Sequence, residues 1–353
     1  MIVQVRKPSS LSATEIEVWQ RLRVQSPELM SPYFHPQFTL DVAAVRDDVE
    51  VAVISEGGAI AGFFPYQRTG RTAKPVGGML SDAHGAIIAD GVSLDLPKLL
   101  QECGLVAWDY HYQVQSQIPG SSWQPEVEQA AVMNLEGGFE AYVGRLESKS
   151  LVKQTDRKSR KLERERGTIR FEWDSRDTDA FDLLVKWKSE QYHDSGIADV
   201  FSFDWTLDLL KRCWERTDPE FQGLMSVMYV NEKPAAIHFG LRAGEVLHQW
   251  FPAYNSELRN FSPGIIHLLD MARHAADNGV TRIDLGRICQ YKSRVATDTV
   301  QVAEGCVDLR PINRALKHGY HQTFEWLRHS PLRTVALIPG RMLRRLAEQR
   351  QFQ

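Results

Sequence analysis

The chain predicts an α/β (α+β) protein made of two copies of one unit, each a mixed central sheet flanked by helices. Two observations carry this. Val51 to Phe64 and Val227 to Gly240 both read as strand, tight turn, strand, and matching Glu56 to Glu232 sets the copies 176 positions apart. Leu99 to Asp109 and Ala275 to Asp284 both read as helix end, glycine stop and a strand closing on Asp, 175 positions apart. Landmarks repeated at nearly one spacing mark an internal duplication, and a duplication fixes architecture before any motif does. In that alignment Gly62 stands opposite His238, so the second copy gains a titratable group. The boundaries that follow are a first lobe over 1–145, a basic helical connector over 146–170, a second lobe over 171–310 and a basic amphipathic C-terminal extension over 311–353.

Bulk properties agree. At 353 residues the chain is long for one domain and comfortable for two. Hydrophobic residues at 43% and charged residues at 25% are ordinary for a soluble globular protein. A net charge of −3 excludes a whole-molecule field built for nucleic acid, so any basic site is local. Cys103, Cys213, Cys289 and Cys306 have no zinc-like or paired spacing and suit a reducing compartment. The eleven histidines are dispersed, and His318 and His321 lack a third ligand, so no metal is expected. Met1 to Ser10 carries no apolar signal region, and no run nears the roughly 18–20 apolar residues of a membrane span. The expected location is cytoplasmic.

The second lobe carries the better candidate site. Ser262 is placed to cap a helix whose first residue is Pro263, where a missing N–H costs nothing. Ile265, Ile266, Leu268, Leu269 and Ala272 give that helix an apolar face, and Asn278-Gly279 ends it. The next strand delivers Asp284, Gly286 and Arg287 to its carboxyl end, where ligands of open α/β sheets collect. Ser262, Gly264 and Ile265 would then offer bare N–H groups to a phosphate or pyrophosphate. A well-capped helix alone explains the same residues. Tyr291 and Lys292 follow closely enough to share a cleft with Asp284, and carboxylate, phenol and ammonium can together bind an acceptor and manage a proton. A plain ion pair from Asp284 to Arg287 or Lys292 is the structural alternative. His238 lies on a strand, where it is either a hydrogen-bonded core residue or a base with an ordinary pKa near 6.5. Trp250, Phe251 and Tyr254 form an aromatic strand that packs a core or walls a groove.

With these residues in hand, the second lobe resembles the FemAB-like and CelD-like branch of the GNAT superfamily. The residues that carry the resemblance are Pro234-Ala235, the aromatic strand from Phe251 to Tyr254, Ser262-Pro263-Gly264, Asp284-Leu285-Gly286 and Tyr291-Lys292. The basic stretch ahead of the lobe and the opening Ser31-Pro32-Tyr33-Phe34 resemble the family too, so the likeness spans about residues 15–310. It implies a tandem pair of GNAT-like lobes and a bacterial N-acyltransferase. The donor would be acetyl-CoA or another acyl-CoA. The acceptor would be an amine, in this branch often an amino sugar of an exopolysaccharide, a lipid-linked saccharide or another envelope polymer. The chain departs from the usual acetyltransferase pyrophosphate loop by offering Ser262-Pro263-Gly264 after Asn260. On this resemblance His238 or Asp284 is the expected base and Tyr291 the acid. Lys292 and Arg287 would hold an anionic group, Trp250 and Tyr254 the substrate.

Two basic segments complete the reading. Lys149 to Arg166 reads as a solvated helix or as an arm for tRNA, a nucleotide sugar or a lipid-linked polymer. An aminoacyl-tRNA-dependent FemAB-type transferase is the second enzyme reading, disfavoured because the segment holds no long helical-hairpin insertion. Pro331 to Arg350 alternates apolar and basic residues, as do helices that dock on a protein body or on an anionic membrane surface. Arg341 and Arg345 at helical spacing would suit a cyclic dinucleotide, which leaves a non-catalytic adaptor or effector as the reading of a different class.

Overall fold

In a computed structural model, described over residues 2–118, 123 and 125–314, the chain forms two units of the same plan. Along the chain the first elements are β1 (Ile2–Arg6), α1 (Ala13–Arg23), α2 (Pro36–Val45), β2 (Val49–Glu56), β3 (Ala59–Thr69), β4 (Thr72–Lys74), β5 (Ile87–Ile88), α3 (Leu96–Glu102) and β6 (Ala107–Val114). There follow β7 (Glu126–Asn134), α4 (Phe139–Arg145), α5 (Ser150–Arg166), β8 (Ile169–Glu172), α6 (Thr178–Ser195) and α7 (Asp204–Trp214). The last are β9 (Gln222–Val230), β10 (Lys233–Ala243), β11 (Val246–Tyr254), α8 (Pro263–Asp277), β12 (Arg282–Arg287), α9 (Lys292–Val295) and β13 (Asp298–Asp308).

Among the described residues, unit 1 gathers those of 2–29, 42–127 and 302–314, and unit 2 gathers Met30–Asp41 and Glu128–Gln301. In unit 1 the strand order is β1-β2-β3-β4-β6-β13, with β5 on the side of β3. In unit 2 it is β8-β9-β10-β11-β12-β7. The two orders match strand for strand. In each, a hairpin is followed by a third strand, a helix, and a strand parallel to the third, β4 with β6 and β11 with β12. Each sheet is closed by a strand from beyond its own half of the sequence: β7 flanks β12 in unit 2, and β13 flanks β6 in unit 1.

The duplication is visible in backbone detail. The hairpin turns are Gly57-Gly58 and Asn231-Glu232, and all four residues have positive φ. That is the two-residue turn whose twist suits a hairpin, and it is why Gly or Asn leads each one. Each hairpin also carries a bulge three residues into its second strand, at Ala61 and at Ala235, which have no opposite residue. These features are 174 positions apart, two fewer than the match of Glu56 to Glu232. His238 therefore stands opposite Phe64, and the pairing with Gly62 is corrected: the turn sets the register and glutamate falls at different places in it.

In unit 2 one sheet face is covered by α4, α5 and α8. Leu224, Leu247, Ile283 and Leu285 there meet Leu268, Leu269 and Met271, and Leu151 and Tyr142 join them. The segment read as a connector is thus a packed helix of this unit, with Leu162 fully buried against Met228, Ala236 and Ile266. The opposite face carries α6 and α7, where Phe181 stacks on Trp214 and meets Phe239 edge-on. The opening Ser31 to Phe34 also belongs to unit 2, with Tyr33 against His248 and Trp250 on β11. Of the extension over 311–353 only 311–314 is described, so Arg341, Arg345 and the amphipathic pattern lie outside the described residues. Among the described residues no helix is long and apolar enough to cross a membrane.

Candidate active site

The site starts from a strand pair that comes apart. β11 and β12 are parallel and in register from Val246 opposite Arg282 to His248 opposite Asp284. Beyond that β11 runs on to Tyr254 while β12, paired with β7 from Arg282 opposite Asn134, stays with it as far as Arg287 opposite Ala130. The carboxyl ends of the two strands therefore diverge into a wedge. On its other edge β11 is irregular as well. Its register with β10 jumps from Phe251–Phe239 to Gln249–Gly240, leaving Trp250 with no opposite residue. A bulge takes main-chain groups out of the ladder and re-aims them. Here it does so on the edge that faces β10, in the strand whose other edge β12 has left.

The N-terminus of α8 follows directly on β11. Ser262 does not cap it through its side chain. It takes a left-handed conformation (φ 58°, ψ 53°) as the chain reverses from a 3-10 turn over Ser256–Phe261. Its carbonyl accepts from the N–H groups of Ile265 and Ile266, and its hydroxyl accepts from Lys158 Nζ on α5 at 2.7 Å. The expected cap is therefore corrected: the turn, not the hydroxyl, starts the helix, and the freed hydroxyl holds a cation beside it. Gly264 lies against the Tyr254 ring, where an added Cβ would sit 3.4 Å from Cδ1, an ordinary contact.

Residues 149–293 match the family model described as an acetyltransferase (GNAT) domain. The matched stretch is a GNAT-type domain and the fold is GNAT-like. Among solved structures, FemX superposes with a TM-score of 0.56 at 9% identity, over 90% of this chain and 99% of that one. The C-terminal domain of an Agrobacterium fabrum protein described as a lysylphosphatidylglycerol synthetase gives 0.55 at 13%, over 86% and 94%. A Bacteroides thetaiotaomicron protein of unknown function gives 0.55 at 8%, over 87% and 100%. At such identities the likeness is one of fold. No curated protein matches the sequence.

Within this GNAT-type domain the expected residues separate into groups. Asp284 is 8% exposed and accepts from Arg282 Nε at 2.5 Å, so its ion pair is with Arg282 and not with Arg287 or Lys292. Arg287 instead pairs with Glu128 on β7. Tyr291 is exposed, and partial burial with Cys289 nearby pushes its phenol up to about 12, so it keeps its proton at neutral pH. Lys292 Nζ lies 6.0 Å from the Tyr291 ring centre. Trp250 stacks on Phe251 and meets Tyr33 and Phe38 edge-on, forming an aromatic wall.

His238 lies apart from these, on the sheet face under α8. It is fully buried, opposite Ser226 and Pro252, and neither ring nitrogen has a hydrogen-bond partner. Desolvation, then His267 and His248, hold its pKa well below 6.5. Its ring closes over Gly240, where an added Cβ would come within 2.6 Å of Cε1. Next to Gly240 sits Gln249, also buried, with Oε1 unpartnered. His238 is thus neutral and sealed from solvent.

Sequence reasoning missed Lys188 on α6. Burial and then the charge of Lys292 push its ammonium down to about 8. Nothing in the local pattern marks it, because its neighbour in space is more than a hundred residues away along the chain. A cavity of about 780 Å³ adjoins α5 and α9, lined by Gln129, Ser148, Ser150, Ile288, Ser293 and Arg294.

Proposed function

We propose that the protein is an N-acyltransferase that moves an acyl group, acetyl being the simplest, from acyl-CoA to the amine of a sugar in a bacterial exopolysaccharide or other envelope polymer. The observation that carries this reading is the wedge between β11 and β12, whose near strand β11 is bulged at Trp250 in its ladder with β10. A thioester arm laid along β11 would replace the missing strand hydrogen bonds, and the displaced N–H groups would meet the carbonyl oxygen as negative charge develops on it. The residues fit the donor: α8 turns its N-terminus to the mouth, and Lys158 adds a cation to Ser262 there.

In this scheme the acceptor amine attacks the thioester carbon, the C–S bond breaks, and the sulfur leaves as a thiolate. Tyr291, still protonated, supplies the proton to sulfur, and Asp284 takes the one shed by the amine. His238 serves the sheet rather than the proton transfer, because no acceptor reaches it. Lys292 stands at the acceptor side. Arg287, engaged with Glu128, is left out of anion binding.

Titration calorimetry with acetyl-CoA, together with thiol release in the presence of amino sugars, tests the reading. Binding in the micromolar range is expected, and Tyr291→Phe should lower the rate by about a hundredfold with binding unchanged. No heat with any short acyl-CoA, alongside binding of charged tRNA, would move the protein to the aminoacyl-tRNA class.

A further inference from the structure

We infer that Gln249 determines donor specificity, accepting a hydrogen bond from a secondary amide on the arm that carries the thioester. Pairing of β11 with β12 ends at His248 opposite Asp284, so Gln249 is the first residue of β11 beyond the parting. It stands opposite Gly240 on β10 and shares that residue's sheet face. Gln249 is 7% exposed, and its Oε1 is buried with no hydrogen-bond partner. The His238 ring fills the room that Gly240 leaves, where an added Cβ would lie 2.6 Å from Cε1 and 2.9 Å from Nε2. Both His238 ring nitrogens are buried without partners as well. Two neighbouring strands thus leave polar atoms unsatisfied at the head of the wedge, a costly state until something brings the missing partners.

Unit 1 shows what satisfies such a place. Its corresponding strand pair, β4 with β6, is in register as far as Ala73 opposite Trp108. The chain then loops out and returns at His84, which pairs with Gln113. There the His84 N–H donates to the Tyr112 carbonyl at 3.0 Å, and its carbonyl accepts from the Val114 N–H at 2.9 Å. Two residues on, the Ala86 N–H donates to Gln117 Oε1 at 2.8 Å, and the Ala86 carbonyl accepts from Gln117 Nε2 at 2.7 Å. A glutamine side chain is matched there by the chain's own peptide groups. In unit 2, among the described residues, no strand replaces β12 beside β11 past His248. A ligand with a secondary amide does for Gln249 what Ala86 does for Gln117, sending its N–H to Oε1. The assignment rests on the acyltransferase reading, which brings the thioester arm into the wedge.

Two small thioesters test this: S-acetyl-N-acetylcysteamine and its counterpart with an ester oxygen in place of the amide N–H. Thiol release from each, with glucosamine as acceptor, is divided by its rate of release without protein. The full chain should favour the amide donor by about tenfold in kcat/KM, the effect of one net hydrogen bond. Gln249→Leu, of similar size and without polar atoms, should bring the ratio close to one by slowing the amide donor alone. Turnover of the ester donor then shows that the variant is folded, and Gln249→Met repeats the test with a more adaptable side chain. In calorimetry, acetyl-CoA should bind either variant about tenfold more weakly. A ratio near one in the unaltered protein, or a preference that survives both substitutions, overturns the assignment and leaves the acyltransferase reading in place. No thiol release from acetyl-CoA or from either small donor removes that reading and the assignment with it.

Discussion

His267 is 3% exposed, and its Nε2 hydrogen-bonds with the Ser226 hydroxyl under α8. Desolvation lowers its pKa from 6.5 to about 4. Between those values the unfolded chain binds a proton that the folded one refuses, so stability falls as the pH drops through that window. The loss from this residue approaches about 3 kcal/mol below pH 4, at about 1.4 kcal/mol per unit, and His238 adds to it in the same direction. Urea midpoints measured from pH 7 to 4 should fall, and fall less in His267→Asn; parallel profiles would refute the assignment. Gly240→Ala is a second case. Its Cβ would lie 2.5 Å from the His248 carbonyl oxygen and 2.6 Å from the His238 ring, so backbone must shift, at a cost of about 1–3 kcal/mol in thermal unfolding. The sequence groups Asp284, Tyr291 and Lys292 by their closeness along the chain, on the strand β12 and the turn after it, and that grouping belongs to the proposed mechanism. The pairing of Arg287 with Glu128 was not legible, because Glu128 comes from a strand no local pattern links to it.

The turn from β11 into α8 shows where reading by element reaches and where it stops. Proline at the first helical position and the glycine stop at Gly279, with φ of 78°, stand as the sequence implies. The left-handed Ser262 does not, because serine is the usual capping residue and its backbone state is set by the preceding 3-10 turn. The Trp250 bulge was equally hidden, since alternation cannot show an extra residue until the partner strand is known. For α5 the charge pattern dominates the sequence, yet Leu151, Thr155 and Leu162 are buried. Leu162→Ala should therefore cost about 3 kcal/mol, the scale of a fully enclosed leucine. Chemical denaturation would measure it, and a change under 1 kcal/mol would return α5 to the status of a solvated linker.

At the scale of the whole chain, the repeat was legible from two short motifs, but the route of the chain through it was not. Lobes cut at 145 and 171 assume that each half of the sequence builds its own sheet, whereas β7 closes the sheet of unit 2 and β13 that of unit 1. Local periodicity gives no sign of this, since an edge strand reads alike whichever sheet it joins. The physical consequence can be measured on fragments. A piece spanning 171–310 keeps β9 to β12 but cuts β8 in half and loses β7, α4 and α5. The core around Leu268 and Ile283 then loses Met133, Leu135, Tyr142 and Leu151, and β12 becomes an unpaired edge. Four large apolar side chains at about 1.5–3 kcal/mol each come to about 6–12 kcal/mol, the scale of the 5–15 kcal/mol by which domains are stable. The fragment 171–310 should therefore bind a hydrophobic dye and melt without a cooperative transition, while 126–310 should recover one. Equal, sharp urea transitions in both fragments would mean that the strand from the first half is an accessory to this sheet and not part of its core.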